Sequence, residues 1–186
     1  MSELLEFQTI KGCMVDLETL STETHACIVS IGACKFDFRG SIILDKFKVN
    51  IDPISGKSVG LHISKDTCDW WAKQSKVAQL SWQTNQIDIK DALIKFEQWF
   101  SDGQEYSFWA NGISFDAAVL KTAYSRCKMV APWNYHREMD MRTLCKVLGI
   151  DVRSIRSKSD KTFHDALEDA VAQTQILLEN FGVEAF

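Results

Sequence analysis

The hydrophobic period changes part-way along this chain, and that change limits the folds open to it. Cys13, Val15 and Leu17 alternate with Met14, Asp16 and Glu18, the two-residue period of a strand, before a polar loop from Thr19 to His25. Ala26 to Phe38 is rich in β-branched and small apolar residues, Arg39-Gly40 marks a turn, and Ser41 to Ile51 forms a third run closed by Asp52-Pro53. These segments read as an antiparallel meander. Beyond it the period lengthens to that of helices. Ser64 can cap a helix running through Trp70, Trp71 and Lys73, and Ile87 to Phe100 places Ile87, Leu93, Ile94, Phe96 and Phe100 largely on one side. Tyr106 to Ala110 has strand length, Asn111-Gly112 breaks it, and Ser114 can cap a helix from Phe115 to Cys127. A weaker strand around Trp133 to Glu138 precedes a short helix capped by Asp140 and ended by Gly149. The last helix carries Ala166, Leu167, Ala170, Val171, Thr174, Ile176, Leu177 and Leu178 and stops near Gly182. Three antiparallel strands followed by alternating strand and helix predict an α/β chain: a mixed sheet flanked by helices, with a site where strand ends meet helix starts.

No linker or repeat divides the 186 residues, so one domain over 1–186 is expected, and 46% apolar residues suffice for a substantial core. No run approaches the roughly 18 to 20 apolar residues of a membrane span, and Met-Ser-Glu-Leu-Leu-Glu lacks the features of a signal peptide, which predicts a soluble, cytoplasmic protein without a membrane partner. Six cysteines (Cys13, Cys27, Cys34, Cys68, Cys127, Cys145) are scattered singly without a C-x-x-C pair and read as reduced thiols, most of them small core residues. The net charge of −4, from 25 acids and 21 bases, argues against a protein that grips duplex DNA chiefly through phosphate contacts. It leaves room for a nuclease, because carboxylates that hold metal ions lower the net charge without repelling the substrate once the ions are bound. From Arg142 to Lys161, six bases face two acids, a stretch that can hold a nucleic-acid backbone or be a solvated loop.

Three constellations could carry chemistry. Asp16 and Glu18, two residues apart on a strand, share one face about 7 Å apart and can share metal ions. Unpaired acids in so apolar a segment would be costly. Asp116 lies in the first turn of the helix after a strand, where a carboxylate also favours the helix dipole. His164 and Asp169 are five residues apart, a net rotation of about 140° on a helix, so His164 should sit where the chain runs into the last helix, with Asp169 reaching the site from the second turn. Asp165 and Glu168 read as an N-cap and N3 pair with a structural role.

In this order, over Asp16 to Asp169, the chain resembles the DEDDh group of 3′-to-5′ exonucleases, which have a ribonuclease H-like fold and include ribonuclease T, oligoribonuclease and the proofreading exonucleases. Asp-Leu-Glu-Thr (16 to 19), Trp70-Trp71, Asp140-x-Arg142-Thr143-Leu144 and His164-Asp165-Ala166-Leu167-x-Asp169-Ala170 look closest to a small branch of 3′-to-5′ exoribonucleases found in phages and bacteria. The resemblance implies a five-stranded sheet, three antiparallel strands and then parallel ones. It implies two divalent cations, Mg²⁺ or Mn²⁺, held by Asp16, Glu18, Asp116 and Asp169, and His164 as the base. Imidazole titrates near neutral pH and suits that task. The implied substrate is the 3′ end of single-stranded RNA or DNA, RNA ahead of DNA, with Thr19 and Leu20 against the terminal nucleotide and Trp70, Trp71 and Phe115 as candidates for base stacking. Trp82, Trp99, Trp109 and Trp133 are assigned to packing. Several relatives are dimers, so a homodimer is the family expectation.

Two other readings compete. His164-Asp165 is also the dipeptide of metal-dependent HD phosphohydrolases, but those are helical proteins with further upstream histidines on helices, whereas His25 falls in a strand region and His62 in a loop. A non-catalytic nucleic-acid-binding module on the same fold would have lost metal ligands, and here all five positions are filled.

Overall fold

The computed structural model describes residues 11–150 and 164–181. The meander forms as expected: β1 (Lys11–Thr19), β2 (Ile28–Asp37) and β3 (Ile42–Ile51) pair antiparallel. On the other side of β1 the parallel strands β5 (Ser107–Ala110) and β6 (Glu138–Asp140) continue the sheet. The sheet has six strands, not five, in the order β4-β3-β2-β1-β5-β6. The added strand, β4 (Gln86–Ile87), is only two residues long and pairs parallel with Asn50 and Ile51 at the end of β3, too short to leave a periodic trace in sequence.

Helices α1 (Pro53–Ser58), α2 (Lys65–Ala72), α3 (Lys76–Gln83), α4 (Ile89–Phe100) and α5 (Ile113–Arg126) lie between or beside the strands, followed by α6 (Met141–Val147) and α7 (Ala166–Phe181). Two of them were not expected from the sequence. Asp52-Pro53, read as a closing turn, starts α1: the Asp52 carboxylate accepts from the Ile54 amide at 2.9 Å, with proline in the first turn. Ser75 accepts from the Ala78 amide and starts α3. Helix starts also move. Asp88, not Ile87, opens α4, and α5 begins at Ile113 after Gly112 at φ 111°, which leaves Ser114 inside the first turn instead of at the cap. The strand expected over 133–138 lies instead at Glu138–Asp140. Trp133 is buried, stacks on Phe108 at 4.2 Å and donates its Nε1–H to Glu138, so its apolar character reflects helix-side packing.

The alternation of β1 divides the core. Cys13, Val15 and Leu17 pack among residues of α4 and α5 on one face, while Met14 packs with Phe36, Trp109, Ala170 and Leu177 on the other. Asp16 and Glu18 share the parity of Met14 and therefore face α7. Gly32, the register partner of Asp16 on β2, permits this approach: a Cβ there would lie 2.1 Å from the Ala166 carbonyl carbon. Trp82 and Trp109 are buried, and Trp99 packs against Phe47 and Phe96. All six cysteines are free thiols, four of them buried. Among the described residues, no helix is long and apolar enough to cross a membrane.

Candidate active site

Four carboxylates from three elements meet at the end of β1. Asp16 and Glu18 project from its α7-side face, Asp169 comes from the first turn of α7 and not the second, since the helix starts at Ala166, and Asp116 from the first turn of α5. Asp116 is drawn in by the Leu17 amide, which donates to its Oδ1 at 3.3 Å. Burial, with the charges of Asp116, Glu18 and Asp169, holds the Asp16 carboxyl well above its ordinary range, against a bond from Gln173. Burial and the neighbouring Asp169, Asp165 and Asp116 push Glu18 up to about 8, and burial raises Asp116 to about 7 despite the Leu17 amide and the Arg142 guanidinium. The cations that reach these acids, Lys48 for Glu18 and Arg142 for Asp116, do not offset the enclosure.

The start of α7 is built to hold His164 beside them. Asp165 caps the helix, its Oδ1 accepting from the Leu167 and Glu168 amides at 3.1 and 3.3 Å, while its Oδ2 pairs with the Lys48 ammonium at 2.6 Å. His164 stands one residue before the cap at φ 67°, in the left-handed region, where non-glycine residues are uncommon. Its carbonyl accepts from the Ser81 hydroxyl at 3.1 Å, and its ring meets Trp70 edge-on at 4.8 Å and Trp71 at 6.1 Å. The fixed turn brings ligand atoms of Glu18, His164 and Asp169 within 4.8 Å of one another.

A cleft of about 490 Å³ opens beside the acids, lined among others by Leu17, Glu18, Thr19, Trp70, Trp71 and Phe115. Trp70 is 41% exposed and Trp71 only 3%, so a single face of the pair is open. The buried ring braces the wall by donating its Nε1–H to the Thr19 carbonyl at 2.9 Å. Leu20 does not line the cleft. It is 6% exposed and belongs to the core on the α4–α5 face, because β1 ends just before it and the chain turns inward.

Several participants were absent from the sequence reading. Gln173 sits one turn after Asp169, donates to Asp16 Oδ1 at 2.8 Å, and leaves its own Oε1 buried without a hydrogen-bond partner. Four-residue spacing from Asp169 was the signal available for it. Lys48 and Ser81 had no such signal, because only tertiary folding brings them to the His164 turn. Asp140, expected to cap the short helix, accepts from Thr143 at 2.6 Å and also from the Ile113 amide at 2.6 Å, so one carboxylate fixes the starts of both α6 and α5. Of the basic stretch from Arg142 to Lys161, the residues Arg153, Arg156, Lys158 and Lys161 lie outside the described residues, as does Gly182.

The donor set fits divalent cations. Carboxylates and one imidazole converge, the carboxylates destabilise one another when ionised, and an orphaned amide oxygen is buried in the same wall. Residues 11–181 match the 3′-5′ exoribonuclease Rv2179c-like domain. The chain belongs to that family. No curated protein matches it in sequence. Among solved structures, the nuclease domain of 3′hExo, a DEDDh family member bound to rAMP, is 14% identical over 92% of this chain and 91% of that one, with a TM-score of 0.60. A 3′-exonuclease in a structure of 3′-end-specific recognition of a histone mRNA stem-loop is 13% identical over 92% and 81%, TM-score 0.59. The zinc-bound E. coli ExoI–ssDNA complex is 10% identical over 91% of this chain, TM-score 0.69, and this chain covers 40% of that longer one. At such identities the likeness is one of fold, and the fold is that of DEDDh exonucleases: antiparallel strands, then parallel ones, flanked by helices.

Proposed function

We propose that this 3′-5′ exonuclease domain removes nucleotides from the 3′ end of single-stranded nucleic acid, RNA ahead of DNA, with two Mg²⁺ or Mn²⁺ ions and His164 as general base. The observation that carries the reading is the convergence of Glu18, Asp169 and His164 within 4.8 Å beside a cleft walled by Trp70 and Phe115. The family description as exoribonucleases favours RNA.

Asp16, Glu18, Asp116 and Asp169 would hold the cations. Bound there, the cations supply Lewis acidity toward the scissile phosphate and its attacking water. The chain's own residues do the rest. The cleft takes the terminal nucleoside, Trp70 and Phe115 offering apolar surface to its base. Thr19 and the Trp71 ring shape the floor beneath it. His164, fixed by its turn and by the tryptophan edges, accepts the proton of the attacking water as oxygen bonds to phosphorus and the P–O3′ bond breaks. The leaving 3′-oxygen is protonated by solvent. The products are a nucleoside 5′-monophosphate and a strand one residue shorter.

The test is digestion of matched 5′-labelled single-stranded RNA and DNA with Mg²⁺ or Mn²⁺. The expected result is a ladder that shortens from the 3′ end, faster on RNA and lost with chelator or in Asp16→Asn. His164→Ala, with all acids intact, should lose roughly 10²- to 10⁴-fold in kcat. Full activity in that variant would remove His164 from the role of base. Binding without any shortening would favour a non-catalytic nucleic-acid-binding module.

A further inference from the structure

The cleft accounts for the terminal nucleotide but not for the strand that follows it in the 5′ direction. We infer that a second cavity, of about 420 Å³ at the outer edge of β3, is a phosphate-binding site for the backbone of that strand, upstream of the scissile bond. The inference rests on the exonuclease reading of the neighbouring acids.

Three observations carry it. The cavity shares a wall with the active site: Ser81, which lines it, donates to the His164 carbonyl, and Lys48, which also lines it, is paired with Asp165. The His164 turn thus separates two hollows, its ring toward Trp70 and its backbone toward Ser81. The chemistry of the cavity is also the reverse of the acid cluster beside it. Lys48, Lys95, Asn50, Ser81, Thr84 and Asn85 contribute to its lining, and among the described residues no carboxylate does. The wall, finally, is prebuilt. The Asn50 amide donates to the carbonyls of Ser81 and Thr84, both at 2.9 Å, and its oxygen accepts from the Ser30 hydroxyl at 2.9 Å, so the rim between β3 and α3 is held in place.

What remains available is cationic. Lys95 is exposed and makes no ion pair with a described residue, and the Lys48 ammonium has donors beyond the one given to Asp165. On a chain of net charge −4, a polyanion needs such a local concentration of positive charge to stay near four carboxylates. A phosphodiester backbone leaving the acid cluster past the His164 turn meets it there.

The experiment is equilibrium binding of single-stranded RNA of two, four, six and ten nucleotides, carrying a 5′ fluorophore and no 5′ phosphate, in Ca²⁺. Wild-type protein is compared with Lys95→Ala, Lys95→Glu and Lys95→Arg. Loss in Lys95→Ala should grow with strand length, reaching about three- to fivefold on the longer strands, and the slope of log affinity against log salt should fall by about 0.7. Lys95→Glu should lose more and Lys95→Arg should bind as wild type does. Equal loss at every length, or none at any, would overturn the proposal. A parallel gel of wild type with Mg²⁺ or Mn²⁺ separates the two failures: no 3′ shortening there counts against the exonuclease reading, whatever the binding series shows.

Discussion

Two regions of this protein bury charge, and they do it in opposite ways. At the far end of β2, Lys35 is 2% exposed and fully served: its ammonium bonds the Trp99 carbonyl and Asp102, the latter at 2.8 Å, and lies 4.5 and 4.7 Å from the rings of Trp99 and Tyr106. Although burial acts to raise it, Asp102 is held below its usual range by Lys35 and the Gln104 amide. At the end of β1, Asp16, Glu18 and Asp116 are enclosed with one another and with Asp169, and all three are pushed up. The first arrangement is complete as protein alone. The second is complete only when something positive joins it, and that difference distinguishes a structural ion pair from a site.

If that distinction is right, deleting a charge should have opposite signs in the two places. Asp102→Ala leaves the buried Lys35 ammonium without its half-exposed carboxylate and should cost about 1–3 kcal/mol of stability, read from denaturant unfolding. A neutral outcome would mean that the Trp99 carbonyl and the two rings satisfy Lys35 by themselves. Asp16→Asn removes one of four clustered acids while keeping an oxygen for Gln173, and should raise the melting temperature of the cation-free protein.

The cation response sharpens the comparison further. Mg²⁺ or Mn²⁺ at about one hundred times its dissociation constant should stabilise the wild type by about 2.7 kcal/mol, with a much smaller gain in Asp16→Asn. Asp102→Ala should respond as fully as wild type, since its lesion lies elsewhere. A wild-type melting temperature indifferent to both ions would break the view that the acid cluster is an incomplete site.

Much of this was legible in the sequence because it depends on local spacing. Two-residue spacing put Asp16 and Glu18 on one face, which the fold turns toward α7, and the five-residue gap from His164 to Asp169 put the histidine before the helix, where it is found. What was not legible comes from long-range contacts. Lys48 reaches Asp165 across 117 residues, Gly32 matters only because α7 packs on it, and Leu20 follows the acid pair in sequence yet turns into the core. The short elements β4 and α1 are held by a two-residue pairing and a cap, which carry no hydrophobic period, and α3 is two turns long with only Ala78 and Trp82 buried.

The cation-free protein should also depend on pH, with a sign opposite to that of an ordinary carboxylate pair. Glu18 and Asp116 titrate near 4.5 and 3.8 when free and at about 8 and 7 in the fold, so the folded state holds their protons more tightly. Their contribution to stability is therefore fully present below about pH 4 and is lost as pH rises through 7 and 8, with Asp16 acting in the same direction. In chelator, the melting temperature should fall by roughly ten degrees between pH 5.5 and 8.5. Asp102 has its pKa lowered and contributes the reverse slope only at acid pH, outside this window. Glu18→Gln should flatten the fall, and so should saturating Mg²⁺, which occupies the carboxylates in the state that high pH favours. A cation-free wild type whose melting temperature holds level or climbs across that window, with no difference from Glu18→Gln, would mean that the four acids do not constrain one another and that their burial alone does not mark a metal centre.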